Sequence, residues 1–402
     1  PLLIKAGFST TISLSNLDPI AYVHTGDFLI NHTVYEGGKY IQYKPGSAAT
    51  VDLIGYWSRW GSPMVLGFVS SIFNLRSYQT YSILITLFFA LSFPLVYILA
   101  KQLLEKERSY LLIFLIFLTY AFNSTMLYML YNVFFAQFAF LGIFITTFIL
   151  VSSYFSDKKK LINFNNYDLL ISLCLSALTI IYLEGLLFVI VPLIIFVTVK
   201  LFQKNFIYII YLVKVIVLTF ILNPISFGNA LRSNYVIFIS TTKAATIGWE
   251  KIRYVLPYEM IGIYNLYYSR NLPVFIAILL SLIIVGIMLV GLFKSKQKLF
   301  ITSFLGFFVL LYLMFALVFK NFFTYHRAVT YTLFIIPILF TCGMLAIIDF
   351  TKNKIFVITI MTVISLLSFR SSYRTIYQLY WHPRVVDKQL ISLSELNNNK
   401  NK

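Results

Sequence analysis

Three side chains near the start of the chain are of the types that carry acid–base chemistry. Asp18, Tyr22 and Asp27 lie within the polar stretch LSNLDPIAYVHTGDFLINHTVYEGGKY (Leu14–Tyr40). The two carboxylates are among only 14 acidic residues in 402. A carboxylate at a membrane surface can act as a general base or as a cation ligand. Since Asp followed by Pro is also an ordinary helix start, a helix cap is the alternative role for Asp18.

Basic side chains that suit a phosphate group form a second set. Arg327 and its neighbour His326 stand at the start of YHRAVTYTLFIIPILF (Tyr325–Phe340), and a guanidinium binds phosphate through paired hydrogen bonds. An interfacial anchor that reaches the lipid headgroups is the alternative role for both. Further candidates for the phosphate are Arg59 and Arg270, with Arg232, Lys243, Lys251 and Arg253 as other basic residues of the same polar segments.

The elements that must position these residues are membrane helices. The chain is 59% hydrophobic and 11% charged, with a mean hydropathy of +0.84, whereas a soluble domain carries about 25% charged residues. Its apolar runs reach about 20 residues, the length of a helix that crosses roughly 30 Å of hydrocarbon. We therefore expect an all-α, polytopic transmembrane helical bundle rather than a barrel.

The apolar runs predict about ten spans. The short loops between alternate spans are basic, which predicts that they face the cytoplasm. Residues 1–76 then begin outside, so we expect a further N-terminal helix ahead of Pro1 and about eleven spans in all. The predicted spans are 77–104, 109–123, 127–154, 167–182, 184–203, 206–222, 273–293, 298–319, 326–348 and 355–370.

These spans divide the chain into five regions. Residues 1–76 form a first external loop with short amphipathic helices, and 223–272 form a long external loop that is too long for a simple linker. Transmembrane helices occupy 77–222 and 273–370, and 371–402 are an external tail. The net charge of +18 lies in the loops, so an anionic lipid or a lipid-linked anion is a better partner than nucleic acid.

Three polar residues adjoin or interrupt the apolar runs. Glu184 lies in the turn YLEGL, and Asn132 lies in MLYMLYNVFFAQF. Lys214 lies in the middle of a span, where an unpaired charge costs about 2.5–3.5 kcal/mol. It faces Glu184 or a water-filled cavity, or it reaches an interface from a tilted span.

The order of these features resembles the GT-C class of membrane glycosyltransferases, which includes protein O-mannosyltransferases and the lipid A aminoarabinose transferase. The motifs are D-x-x-x-Y (Asp18, Tyr22), then WGSPMVL, then IYLEGLLFVIVPLIIF (Ile181–Phe196) and HRAVTYTLFIIP near the end. Asp18 is followed by Pro where the class often has Glu. Asn132 stands where many members place a second acidic residue. There is no WWD motif, so an oligosaccharyltransferase is not expected.

The resemblance implies transfer of a sugar from a polyprenyl-phosphate donor to an acceptor on the external face of a prokaryotic plasma membrane. Asp18 would be the general base, and Arg327, His326, Arg59 and Arg270 would bind the donor phosphate. Tyr22, Asp27, Glu184 and Asn132 would contact the substrates. The acceptor is a protein, a lipid or a glycan. A divalent metal is allowed but not required, and the sequence contains no metal-binding motif.

Two other functions fit the same sequence. A flippase or transporter of a lipid-linked substrate would use Lys214 and Glu184 as a buried charged pair. A polysaccharide polymerase or ligase would share the lipid-linked donor and depend on the 223–272 loop. Nucleotide-driven transport and hydrolase chemistry are disfavoured because GxGxxG, Walker, HExxH, CxxC and GxSxG elements are missing where they would matter.

Overall fold

A computed structural model describes residues 18–33, 36, 60–104, 109–131, 134–155, 164–182, 185–243, 257–262, 273–314, 331–351 and 354–380. Within these segments the regular structure comprises fifteen α-helices and one π-helical turn. Several of the helices are long and apolar enough to cross a membrane. The prediction of an all-α integral membrane protein is therefore confirmed.

The α-helices follow one another with short connections through much of the chain. A π-helical turn, Phe117–Ala121, separates the fourth helix from the fifth. In chain order the helices are α1 (Asp18–Asn31), α2 (Gly61–Ile72), α3 (Ser77–Leu103), α4 (Ser109–Ile116), α5 (Ser124–Tyr131), α6 (Phe135–Phe155), α7 (Asn166–Ile181), α8 (Gly185–Phe202), α9 (Ile207–Leu222), α10 (Pro224–Lys243), α11 (Pro257–Met260), α12 (Val274–Lys294), α13 (Lys298–Leu313), α14 (Ile335–Thr351) and α15 (Lys354–Tyr380).

The predicted number of spans is wrong, although each predicted span overlaps a helix. Among the described helices, four (α3, α6, α8 and α12) are long and apolar enough to cross a membrane. The bent pairs α4–α5 and α9–α10 turn by 55° and 108°, and they raise the number to six if each pair is one span. Helices α7 and α13 have 16 residues and α14 has 17. Such helices cover only about 24–26 Å, less than the hydrocarbon thickness.

Helix α6 is the centre of the core. Its aromatic side chains Phe135, Phe138, Phe140, Phe144 and Phe148 are all buried. Phe140 stacks on Phe144 with ring centroids 5.0 Å apart, and Phe144 meets Phe148 edge-to-face at 5.1 Å. Rings in these arrangements are more stable than their buried area alone implies. Phe135 and Phe138 also meet the rings of Phe88 and Phe89 in α3, and Phe144 and Phe148 meet Phe304 of α13, so these rings hold α6 against both helices.

Helices α12 and α14 approach each other more closely than side chains would allow. A Cβ atom at Gly291 would overlap the Leu339 carbonyl oxygen, and one at Gly343 would overlap the Ile287 carbonyl oxygen. Small residues at such crossings let helix backbones touch within a membrane. This crossing ties the C-terminal helices of the chain together.

The helix ends form two groups on opposite sides of the bundle. At one end, here called the α1 end, Tyr81 near the start of α3 stacks on Phe135 at the start of α6, with centroids 4.9 Å apart. At the other end, here called the Gln102 end, Gln102 of α3 donates to the Ser153 hydroxyl of α6 at 2.9 Å. Helices α3 and α6 therefore run in parallel from the α1 end to the Gln102 end.

Candidate functional site

Helix α1 holds the three residues that the sequence singled out first. Asp18 is the first helical residue and Pro19 the second, which agrees with the helix start predicted from the Asp-Pro pair. Proline is tolerated in the first turn because its missing N–H group has no intrahelical acceptor there. Tyr22 and Asp27 lie on the same helix, so α1 is the element that positions this part of the candidate site.

Tyr22 attaches α1 to the membrane helices. Its side chain is only 3% exposed, and its ring centroid lies 6.0 Å from that of Phe135 in α6. Phe135 in turn stacks on Tyr81 of α3. The Tyr22 ring is therefore part of the packing that holds α1 over the starts of α3 and α6.

Asp27 binds the start of α3. Its carboxylate oxygen accepts a hydrogen bond from the backbone N–H of Ser77 at 2.9 Å, and Ser77 is the first residue of α3. A negative charge at a helix N-terminus is stabilised by the free N–H groups and by the helix dipole. The structure therefore gives Asp27 a capping role across 50 residues of sequence.

Helices α1 and α2 form a layer over the α1 end. They cross at two glycines, where a Cβ atom at Gly67 would lie 2.5 Å from the carbonyl oxygen of Gly26. Beneath them, the Ser62 hydroxyl of α2 donates to the carbonyl oxygen of Ile181, the last residue of α7, at 3.2 Å. The α1–α2 layer thus contacts the ends of α3, α6 and α7.

Six predicted site residues lie outside the described residues. Near two of them, Glu184 and Arg327, described tyrosines are in contact with each other. Tyr182 lies two positions before Glu184, and Tyr331 lies four positions after Arg327. The two tyrosine rings are 5.8 Å apart, and both contact Phe140 of α6, at 5.7 and 4.6 Å. Tyr182 directly follows Ile181, whose carbonyl oxygen accepts the hydrogen bond from Ser62 of α2, so this contact lies near the α1 end. The six residues are Asn132, Glu184, Arg59, Arg270, His326 and Arg327.

A described neighbour of Asn132 lies at the same end. Phe135, three residues further along the chain, is fully buried and meets both Tyr22 and Tyr81. The structure thus gathers α1 and the described neighbours of Asn132, Glu184 and Arg327 at one end of the bundle.

A buried ion pair at the Gln102 end was missed by the sequence reasoning. Asp168 of α7 is fully buried and lies 2.9 Å from the ammonium group of Lys214 in α9. Its carboxylate also accepts hydrogen bonds from the Tyr154 hydroxyl at 2.5 Å and from the backbone N–H of Asn165 at 3.0 Å. The sequence suggested Glu184 or a water-filled cavity as the environment of Lys214, whereas the structure gives it the carboxylate of Asp168.

The local sequence explains why Asp168 is held so firmly. Asn165 caps α7, since its side-chain oxygen accepts from the Tyr167 N–H at 2.8 Å. Asp168 is the third helical residue, so its carboxylate reaches back to the Asn165 N–H in a capping box. The motif N-x-x-D marks this helix start, but no spacing in the sequence connects it with Lys214.

A second buried carboxylate lies in the segment 223–272, for which the sequence reasoning named only basic residues. Glu259 of α11 is fully buried. The next residue, Met260, accepts a hydrogen bond through its carbonyl oxygen from the Asn123 side chain at 2.8 Å. Asn123 lies at the break between α4 and α5 and is itself fully buried.

Within the part of the chain that the structure describes, no three His, Cys, Asp or Glu side chains are close enough to hold a metal ion. Comparison of the chain with protein-family models and with curated proteins finds no match. The resemblance to the GT-C class therefore depends on the motifs and on their order.

Proposed function

We propose that the chain is a membrane glycosyltransferase of the GT-C type, which moves a sugar from a polyprenyl-phosphate donor to an acceptor at the α1 end. One observation supports the proposal most directly. Helix α1 lies at the same end of the bundle as Phe135, Tyr182 and Tyr331, which are described neighbours of Asn132, Glu184 and Arg327. In this proposal the α1 end faces the exterior of a prokaryotic plasma membrane.

The proposed reaction is a direct displacement at the anomeric carbon. Asp18 removes the proton from the acceptor hydroxyl while the acceptor oxygen bonds to the sugar. The bond between the anomeric carbon and the donor oxygen breaks, and polyprenyl phosphate leaves with the bonding electrons. Cationic side chains, with Arg327 as the first candidate, stabilise the charge on the departing phosphate.

The two aspartates of α1 have different tasks in this proposal. Asp27 is engaged with the backbone N–H of Ser77, so its charge serves the start of α3. Asp18 is nine residues earlier, at the first position of α1, and we assign the base to it. Tyr22 acts by packing α1 against Phe135, which holds the helix in place over the bundle.

The test is a transfer assay with the full chain reconstituted in liposomes. A panel of synthetic polyprenyl-phosphate sugars is supplied with an envelope lipid and glycan extract as acceptor, and release of polyprenyl phosphate is measured by mass spectrometry. We expect release from at least one donor, dependent on the acceptor. Absence of release with every donor, while a fluorescent donor analogue is moved between leaflets, would contradict the proposal.

That outcome would favour the second candidate, a flippase for a lipid-linked substrate. The observation behind it is the buried Asp168–Lys214 pair, since ionisable residues inside a membrane often belong to transport pathways. We favour the enzyme because the Asp168 carboxylate is already satisfied by Lys214, Tyr154 and Asn165. A flippase would tolerate Asp18→Asn and fail on substitution of Lys214.

A further inference from the structure

A basic cavity lies at the Gln102 end, on the side of the bundle opposite the α1–α2 layer. Its volume is about 510 Å³, and three of its lining residues are lysines: Lys200, Lys296 and Lys298. None of the residues that line it among the described segments is acidic. A cavity of this size can hold a headgroup-sized ligand, and its charge favours an anion.

One wall of the cavity is aromatic. The rings of Phe155 and Phe196 stack with centroids 4.6 Å apart, and Tyr208 meets both of them at 5.5 Å. The Lys200 ammonium lies 5.7 Å from the ring centroids of Phe196 and Tyr208, within the range of cation–π attraction. The wall thus holds one cation in place and offers an apolar surface beside it.

The cavity is also lined by a turn that two other helices fix in place. The backbone N–H of Lys296 donates to the Leu103 carbonyl oxygen of α3 at 3.1 Å. The Gln297 side chain donates to the Ser152 carbonyl oxygen of α6 at 2.7 Å. Lys296 and Lys298, on either side of Gln297, therefore extend from an anchored backbone, and both are exposed.

The described carboxylate at this end, that of Asp168, does not neutralise the positive charge of the cavity lysines. Tyr211 lies between the cavity wall and the buried ion pair, since its ring meets Phe155 and Tyr154, both at 4.8 Å. Beyond it the charge of Asp168 is balanced by Lys214. The three lysines of the cavity therefore keep an excess of positive charge for a ligand.

Two exposed aromatic rings lie in the chain between Lys200 and Tyr208, both of which line the cavity. Phe202, the last residue of α8, and Phe206, just before α9, are 85% and 65% exposed, and basic pockets between membrane helices bind phosphate headgroups. We infer that this cavity binds a phosphate group that belongs to an anionic lipid or to a soluble phosphate ester. The phosphate lies between Lys200, Lys296 and Lys298, and a lipid chain would lie along the aromatic wall.

The test is native mass spectrometry of the purified full chain in detergent. Phosphatidylglycerol, phosphatidylcholine and glycerol 3-phosphate are titrated separately. The double variant Lys296→Gln/Lys298→Gln is compared with Lys294→Gln, which neutralises an exposed lysine at the end of α12 that is not among the cavity-lining residues. We expect the affinity for phosphatidylglycerol to fall roughly five-fold for each cavity lysine removed, the fold-change equivalent to about 1 kcal/mol. Lys294→Gln should leave the affinity unchanged.

The titrations also distinguish the two sources of the phosphate. Tight binding of phosphatidylglycerol with weak binding of glycerol 3-phosphate identifies a lipid ligand, and comparable binding of both, lost together in the double variant, identifies a soluble one. Thermal unfolding without added ligand checks that the double variant is folded. Equal affinity for phosphatidylglycerol and phosphatidylcholine, or full phosphatidylglycerol affinity in the folded double variant, would overturn the inference.

Discussion

At the scale of single residues, the roles of the buried or partly buried aspartates follow from the groups that they bind in the folded chain. Asp27 caps α3, and Asp168 accepts hydrogen bonds from a lysine, a tyrosine and a backbone N–H group. The helix start at Asp18 was predictable because the Asp-Pro signal is local. The Ser77 partner of Asp27 and the Lys214 partner of Asp168 were not predictable, since they lie 50 and 46 residues away and no local pattern encodes such a contact.

Asp27→Ala should lower the stability of the protein. The substitution removes both the acceptor for the Ser77 N–H and a negative charge at the start of α3. Loss of a capping side chain costs about 1 kcal/mol. Thermal unfolding in detergent should show a lower midpoint for Asp27→Ala and a smaller shift for Asp27→Asn, which keeps an acceptor oxygen. The control is Asn31→Ala at an exposed position of α1, and equal shifts in all three variants would refute the capping role.

Lys214→Met should destabilise the protein more than Asp27→Ala does. It leaves the Asp168 carboxylate, which is fully buried, without its cation, and breaking a buried pair on one side costs about 3–5 kcal/mol. The double variant Asp168→Asn/Lys214→Met removes both charges and should recover much of that loss. Unfolding midpoints of the three proteins test this, and a double variant less stable than Lys214→Met would contradict the account.

At the scale of elements, hydropathy predicted the positions of the helices but not which of them cross a membrane. Helix α7 is apolar enough to be read as a span, yet it has 16 residues. Its Ser172 and Ser176 hydroxyls donate to carbonyl oxygens of α9 at 3.2 and 3.3 Å. Hydropathy alone does not separate a short helix packed inside a bundle from a membrane span, because both are apolar along their length. The bend at Asn123 also involves a distant contact, because its side chain donates to the Met260 carbonyl oxygen.

Gly291→Ala should weaken the packing of α12 on α14. The added methyl group would meet the Leu339 carbonyl oxygen, and overpacking of this kind costs about 1–3 kcal/mol. Gly286→Ala is the matched control, because a Cβ atom there has no neighbour within 4 Å and alanine favours the helix. Unfolding midpoints should fall for Gly291→Ala alone, and a fall of the same size for Gly286→Ala would refute the close approach.

At the scale of the whole molecule, the fold separates two chemical environments. The α1 end carries the layer of α1 and α2 with the predicted catalytic residue, and the Gln102 end carries the lysine cavity and the buried ion pair. The short basic loops between alternate predicted spans already indicated that the two ends differ. The cavity itself was not predictable, since its lysines come from α8, from the α12–α13 connection and from the start of α13, and meet only in the folded chain.

Labelling of engineered cysteines tests the orientation of the two ends. In a background without Cys174 and Cys342, His24→Cys reports on the α1 end and Lys204→Cys on the Gln102 end, and both positions are exposed. We expect a membrane-impermeant maleimide to label His24→Cys in intact cells. Lys204→Cys should be labelled only after the membrane is opened. The reverse pattern would place the α1 end in the cytoplasm and exclude transfer on the external face.

The most direct measurement of the central claim is the transfer rate of Asp18→Asn beside that of Asp27→Asn in the same liposomes. Asparagine and aspartate serve almost equally well as helix caps, so a capping role predicts nearly full activity for Asp18→Asn. A general base contributes about 10²–10⁴-fold to the rate. Our account therefore predicts that Asp18→Asn slows transfer by this factor with donor binding retained, whereas Asp27→Asn loses far less. Full activity of Asp18→Asn would contradict the assignment.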